Sequence, residues 1–422
     1  MTKILHTSDW HLGRLLYGQG RDAEFSAFLS WLLQTLIEEQ IEILLVAGDI
    51  FDTTTPTHQA QAQYYEFLAQ VGRTGCRHVV IVGGNHDSPS FLNAPQGLLS
   101  ALNVHVVGQA LAPADEVLLL DNAQGEPCVI VCAVPYLRER DVRQAQAGES
   151  MAQKAANYVH GVRAHYEAVA AEALARRKAL GVDLPIVAMG HIFTVGGQTL
   201  ADDGVRDLVV GGLGHIQADV FDEVFDYVAL GHLHVPQMVG QRPWVRYSGS
   251  PVAMGFGEAG QQKSVCVLQF EALDAADDKQ CFSWQRLGRQ MGLRLLPIPV
   301  FQPMQRISGD WEHICSAVAQ CRAADEPIWL EIIYTGDAVM GELREQVNTL
   351  LEGSKLRLIR LQNQLLMRQI LQPTQAHKAL TELSPIEVFE QRMQAQDIAP
   401  EQRAELLQTY KAALALLAEQ ED

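Results

Sequence analysis

The sequence predicts an α/β protein with a smaller α/β unit and a helical tail behind it. Three observations predict it. From residue 1 to about 270, short β-branched apolar runs alternate with helical patterns, as buried strands and their crossover helices do. After a proline-rich stretch a compact β-α-β-α-β pattern follows. From Gln362 on, the chain reads as helix.

The first strand is Ile4-Leu5, and it leads to Asp9-Trp10-His11. A helix from Glu24 to Glu39 follows. Ile43-Leu44-Leu45-Val46 is the next strand and leads to Gly48-Asp49. A helix from Gln59 to Arg73 precedes Val79-Val80-Ile81-Val82, which leads to Gly84-Asn85-His86-Asp87. Met151 to Leu180 is a long Ala-rich helix. Ile186-Val187-Ala188 leads to Gly190-His191, and Tyr227-Val228-Ala229-Leu230 leads to Gly231-His232-Leu233-His234. After Gly204 the strands crowd together (Leu208–Val210, Tyr227–Leu230, Trp244–Tyr247, Val265–Phe270), so a largely antiparallel portion is expected there. An acidic, polar stretch and then Pro297, Pro299 and Pro303 place a domain boundary near 275. The small unit has a strand ending near Ile307, a helix from Asp310 to Arg322, a strand over Ile328–Tyr334, a helix from Val339 to Leu351 and a strand over Leu356–Leu361. Ser384-Pro385-Ile386-Glu387 reads as a helix start, Ser at the cap and Pro at the first helical position. The expected domains are 1–275, 276–362 and 363–422.

The chain has 422 residues, enough for two or three domains. No apolar stretch is long enough to span a bilayer, and the N-terminus shows no signal-peptide pattern, so a cytoplasmic, nucleoid-associated protein with no membrane partner is expected. Seven cysteines without paired short spacings read as reduced thiols. The formal charge is −18, which opposes a large basic nucleic-acid surface. Two acid-free stretches soften that objection. One holds Lys279, Arg286, Arg289, Arg294 and Arg306, the other Lys355, Arg357, Arg360, Arg368 and Lys378. They read either as solvated faces or as phosphate contacts, with Arg286 and Arg289 the candidate DNA-binding residues.

Five strand ends thus deliver Asp, Asn and His to the edge where ligands gather in α/β sheets. In extended backbone, residues two apart point the same way, so Asp9 with His11, and His232 with His234, can each offer two ligands to one metal. Asp49 is placed to bridge two ions. Asn85 offers an amide oxygen and His191 an imidazole; Gly214-His215 is the rival of Gly190-His191, whose strand is cleaner. The set Asp9, His11, Asp49, Asn85, His191, His232 and His234 mixes nitrogen and oxygen without thiolate, which suits Mn, Fe or Zn better than Ca. Two such ions can activate water against a phosphate, and His86 is placed to stabilise charge or protonate a leaving oxygen. Gly48, Gly83, Gly84, Gly190 and Gly231 let the backbone turn at each strand end. Gly336-Asp337, although it follows an apolar run, reads as a turn.

The order Asp-x-His, Gly-Asp, Gly-Asn-His-Asp, Gly-His, Gly-His-x-His resembles the calcineurin-like metallophosphoesterase superfamily. Leu5 to Gly13, Val46 to Asp52, Val245 to Pro251 and Leu383 to Phe389 narrow the resemblance to its SbcD-type nuclease subunits, over nearly the whole chain. The resemblance implies a four-layer α/β/β/α metallophosphoesterase sandwich, a small α/β capping domain and C-terminal helices that bind an SbcC-like, SMC-family ATPase. It implies a homodimer within a heterotetramer. It also implies an ATP-dependent 3'-5' double-strand exonuclease and a single-strand endonuclease acting on DNA ends and hairpins, in replication, recombination and repair. Two Mn²⁺ are the implied cofactors, Mg²⁺ being possible but less active. The first would take Asp9, His11, Asp49 and His234, and the second Asp49, Asn85, His191 and His232. His86 would be the catalytic histidine. The chain departs from archaeal and eukaryotic relatives at Asp52, where they carry a second active-site histidine. The alternative reading is a small-substrate metallophosphodiesterase. Phosphoprotein phosphatases fit less well, because Ile50-Phe51-Asp52-Thr53 and Asp87 replace their characteristic residues.

Overall fold

The structure is a computed structural model. It describes residues 2–143, 148–194, 216–221, 223–271, 280–336 and 343–364, and beyond these Ile386, Phe389, Met393, Leu407 and Tyr410. Two compact units divide it, residues 1–362 and 363–422.

Parallel strands buried on both faces need an apolar side chain at every position. The strand β2 (Ile43–Ala47) fits that rule at every position, and with β1 (Lys3–Thr7), β3 (His78–Val82) and β4 (Val104–Val107), which are mostly apolar, it forms a parallel series. Three later strands, β11 (Ser264–Gln269), β12 (Cys281–Arg286) and β13 (Arg289–Pro297), join it antiparallel on the β1 side, giving the order β12-β13-β11-β1-β2-β3-β4. A second sheet holds β5 (Val117–Asp121), β6 (Pro127–Ala133), β7 (Ile186–His191), β8 (Tyr227–Gly231), β9 (Gln237–Val239) and β10 (Arg242–Tyr247), in the order β5-β6-β7-β8-β10-β9.

Alternation along each strand builds three cores. Leu44 and Val46 of β2 face one way, onto Phe25, Phe28 and Leu32 of the helix Asp22–Glu38 and Tyr64 and Phe67 of the helix His58–Val71. Ile43, Leu45 and Ala47 face the other way and meet Val131, Val187 and Ala229 of the second sheet. The far side of that sheet, Ile186, Ala188, Val228 and Leu230, packs on Val162, Tyr166, Val169 and Ala173 of the helix Met151–Leu180. The result is the expected α/β/β/α sandwich. Burying each such side chain contributes about 1.5–3 kcal/mol. The long helix begins at a Ser150/Gln153 capping box and ends at Gly181, whose φ of 67° supplies the left-handed cap.

The boundary expected at 275 moves. β12 and β13 hydrogen-bond into the first sheet, so residues 281–297 belong to the sandwich and the appendage begins with β14 (Met304–Gly309). The appendage adds the helix Trp311–Ala323, capped by Asp310, then β15 (Trp329–Tyr334), the helix Leu343–Leu351 and β16 (Arg357–Asn363) around its own core. The portion after Gly204 is mixed: β8–β10 is parallel, whereas β9–β10 is antiparallel and β11 runs antiparallel to both its neighbours, as expected. Leu208–Val210 lies outside the described residues, as do His215 and the tail helix start at Ser384-Pro385. Cys76, Cys128, Cys132, Cys266, Cys281, Cys315 and Cys321 are all free thiols. No helix among the described residues is long and apolar enough to cross a membrane.

Candidate metal centre

All seven expected ligands lie at or just past the carboxyl ends of five strands: β1, β2 and β3, parallel in one sheet, and β7 and β8, parallel in the other. The seam between the sheets brings them together. Asp9, His11 and His234 form one cluster, and Asp49, His191 and His232 another. His11 Nε2 lies 3.2 Å from His234 Nε2. Asn85 Oδ1 is 3.0 Å from both His191 Nε2 and His232 Nδ1. Asp49 Oδ2 stands between the clusters, 3.6 Å from His11 Nε2 and 3.2 Å from His191 Nε2. Its other oxygen accepts from the His86 backbone N–H at 2.9 Å.

The backbone that achieves this is not extended. Asp9, His11, Asp49 and His232 have φ of 53°, 48°, 51° and 103°, a region L-residues avoid at a cost of about 1–3 kcal/mol each. The surroundings hold them there. Trp10, between two ligands, points into the helix-side core, donates to Thr7 Oγ1 at 3.1 Å, and stands edge-on to Phe28 and Phe67. Leu233 does the same in the opposite core. The extended i/i+2 argument is therefore corrected. Asp9 and His11 do meet, through left-handed turns around an anchored tryptophan. His232 and His234 separate, one to each cluster.

Glycine is required where chains touch. A Cβ on Gly84 would stand 2.1 Å from Asp49 Oδ1, and one on Gly231 1.9 Å from the Ala47 carbonyl oxygen.

The donor chemistry calls for cations. His191 Nδ1 faces the Ala47 carbonyl at 2.9 Å, so it carries the hydrogen. Neutral His191 then aims the Nε2 lone pair at two oxygens, Asp49 Oδ2 and Asn85 Oδ1, and only a proton or metal satisfies all three. The titration directions agree. Burial pushes His191 down, but Asp49, Asp9 and the Ala47 carbonyl together outweigh it and lift the group to about 9. Burial lowers His232 to about 3 and His11 to about 4, leaving neutral imidazoles fit to ligate. Asp49 lies well below the carboxylate range, because His191 and His11 outweigh its burial. Asp9, dominated by burial, is raised. The residues therefore fit a divalent-metal pair, with mixed nitrogen and oxygen donors and a shared carboxylate.

The sequence reading missed the groups behind the ligands. Asp52 Oδ1 is 3.3 Å from His11 Nδ1 and 3.1 Å from Arg14 Nη1. Its pKa falls to about 2, since His11 and Arg14 together outweigh burial. Buried Glu258, ion-paired with Lys263, has Oε1 3.7 Å from His234 Nδ1. Asp87 gathers the backbone N–H groups of Gly84, Ile50 and Phe51 at 2.9, 3.2 and 3.0 Å, tying two ligand loops together. Burial, and then Asp49, raises its pKa to about 6. His86 Nδ1 is 2.8 Å from the Asp52 carbonyl, so it donates there and leaves Nε2 for other work. His86 and His11 rings meet edge-on at 4.9 Å. His11, Asp52 and His86 also cluster, but the Arg14 guanidinium already compensates Asp52.

Arg286 and Arg289, the expected DNA-binding residues, lie elsewhere. Arg286 donates to the Phe225 carbonyl at 2.7 Å and covers the Trp244 ring at 4.3 Å. Arg289 pairs with buried Asp226 at 3.2 Å and with Asp183. Phe225, Asp226 and Asp183 precede β8 and β7, at the end opposite the ligands. Four more cations of these stretches are also partnered: Arg294 with Glu39, Arg306 and Arg360 with Glu331, Lys355 with Asp325.

This site on this fold defines a metallophosphoesterase, and comparison agrees: the calcineurin-like phosphoesterase family profile matches residues 2–236. A second profile, the type 5 capsule protein repressor C-terminal domain (SbcD_C), matches residues 300–397, beginning close to the appendage. The SbcD subunit of the SbcCD nuclease of Escherichia coli K12 is 34% identical over 419 residues, covering 99% of this chain and 98% of the relative. Its namesake from Rhodobacter capsulatus is 33% identical over 372 residues, 84% of this chain and 86% of its own. That of Bacillus subtilis is 34% identical over 296 residues, 70% and 71%. The chain belongs to the SbcD family of nuclease subunits, and it is a phosphodiester hydrolase.

Proposed function

We propose that this chain cleaves DNA phosphodiester bonds with two divalent ions, Mn²⁺ by preference, held at the seam between its sheets. Asp9, His11, Asp49 and His234 hold the first, and Asp49, Asn85, His191 and His232 the second. The observation that carries this is the place of Asp49 Oδ2, within 3.6 Å of an imidazole from each cluster. Bound there, the ions supply Lewis acidity toward a phosphate and lower the pKa of water. His86, with Nδ1 donating to Asp52, presents Nε2 to the leaving oxygen and moves a proton there. Asp52 and Glu258 keep His11 and His234 in the ligating tautomer.

The relatives are each named as one part of SbcCD, and this supports a partner of the SbcC type, an SMC-like ATPase. Residues 363–422, a separate compact unit, are the proposed docking segment, and residues from about 300 to 362 the capping domain. The assembly is a heterotetramer around a homodimer, acting on DNA ends and hairpins as an ATP-dependent 3'-5' exonuclease and endonuclease.

The test incubates the protein with Mn²⁺ and hairpin DNA, linear duplex or bis-p-nitrophenyl phosphate, alone and with the partner ATPase and ATP. Asp9→Ala and His86→Ala are run in parallel. Cleavage of DNA, lost in both variants, is the expected result. Activity on the small diester but never on DNA would instead favour a small-substrate phosphodiesterase.

A further inference from the structure

With Arg286 and Arg289 tied down at the opposite end, other cations must meet an anionic strand in a chain of net charge −18. Two arginines stand at the rim of the metal centre. Arg14 follows His11 in the loop after β1. Its Nη1 donates to Asp52 Oδ1 at 3.1 Å, and that same oxygen is 3.3 Å from His11 Nδ1. The side chain remains 17% exposed. A guanidinium has five N–H donors, and among the described residues this one gives its side-chain hydrogen bond to Asp52 alone. The anchor on Asp52, whose backbone carbonyl faces His86 Nδ1, removes much of the rotamer freedom that binding would otherwise cost, and the remaining N–H donors have no partner among the described residues.

Arg138 takes the other flank. Its Nη2 reaches the Asp87 carbonyl at a long 3.5 Å, and its guanidinium lies 5.8 Å from the Tyr136 ring centre. Tyr136 stands edge-on to His191 at 6.2 Å and donates its backbone N–H to Gly83 at 2.8 Å. Arg14 thus borders the His11 cluster and Arg138 the His191 cluster, with the Asn85-His86 loop between them.

Resting on the nuclease reading above, we propose that Arg14 and Arg138 are phosphate-binding arms that hold the strand's phosphates on either side of the bond being cut. Planar, forked guanidinium suits bidentate contact with phosphate oxygens. Such contacts fix the strand's register without reading its sequence, as an enzyme acting on any end requires.

The test measures hairpin-DNA binding by fluorescence anisotropy from low to high salt, with Ca²⁺ as the divalent ion and gels confirming uncut DNA. Full-length wild type, Arg14→Gln and Arg138→Gln are compared. Each substitution should lower the slope of log affinity against log salt by about 1 and weaken binding about tenfold at low salt. Manganese stoichiometry should stay at the wild-type value in Arg138→Gln. Arg138 has no charged partner among the described residues, so its variant keeps the test valid should Arg14→Gln disturb the fold. An unchanged slope in Arg138→Gln, or in a folded Arg14→Gln, overturns the proposal. A wild type that binds and cleaves DNA in neither form, alone or with its partner, overturns the nuclease reading instead.

Discussion

The two ends of the sandwich use the same strands in opposite ways. At the carboxyl ends of β1, β2 and β8, ligands sit at positive φ, glycines allow backbone contact, and buried carboxylates face imidazoles. At the other end, Asp226 accepts from the Ile186 N–H at 2.8 Å, Arg289 pairs with it, and Arg286 covers Trp244. Charges there cancel locally and close the structure. At the ligand end Arg14 and Lys263 offset Asp52 and Glu258, whereas Asp9 and Asp49 have no lysine or arginine partner among the described residues. The lesson is that a buried charge alone does not mark function; a buried charge whose remaining partners are all acceptors does.

The largest expected break of this contrast is Asp49→Asn. Losing the shared charge should abolish hydrolysis above background and prevent a two-ion stoichiometry by calorimetry, with a circular dichroism spectrum like wild type. The corresponding break at the other end is Arg289→Ala. It leaves Asp226 without its cation and should cost about 2–4 kcal/mol in urea unfolding, while activity per folded molecule stays at wild type. Retained stability would show that Asp226 finds other relief. Between these extremes, Asp52→Ala should weaken manganese binding about 10–100-fold without unfolding the protein. Unchanged affinity would remove Asp52 as the group that orients His11.

Acidity sharpens the comparison further. In the metal-free protein His191 holds its proton up to about pH 9, because Asp49, Asp9 and the Ala47 carbonyl together overcome burial. A metal must displace that proton, so its apparent affinity should rise with pH toward 9 and level off above it. His11 and His232, already neutral above about pH 4 and 3, should add no such slope near neutrality. His234, raised because Glu258 and Asp9 together outweigh burial, adds its own release, and calorimetry in buffers of different ionisation enthalpy counts the protons released. The smallest effect lies at the opposite end. Leu287 has φ 52° in the two-residue turn between β12 and β13, and Leu287→Asn should stabilise by about 1 kcal/mol at unchanged activity.

Much of the site was legible because each ligand directly follows an apolar run, and a run that stops marks a strand end. Asp52, Asp87 and Glu258 were not legible as supports, because their partners lie on other loops and nothing local distinguishes a carboxylate that orients histidine from a solvated one. The β12–β13 hairpin was hidden for a different reason. Leu287-Gly288 lacks the usual Asn-Gly turn signature, and its flanking arginines read as a basic surface rather than as pins into a neighbouring sheet. The same misreading placed the domain boundary too early. The i/i+2 rule was applied where the backbone leaves the extended region, so it could not foresee that His232 and His234 diverge.

The seam has one more consequence. Asp9, His11, Asp49 and Asn85 come from one sheet, His191, His232 and His234 from the other, so each ion of the proposed pair would take donors from both. Ions gripped this way would rivet two halves that otherwise adhere through side-chain packing and a few hydrogen bonds, such as that of His191 to the Ala47 carbonyl. By mass action a metal-loaded chain should melt at a higher temperature and resist proteases longer. A cell short of the ion would then lose the enzyme itself as well as its turnover.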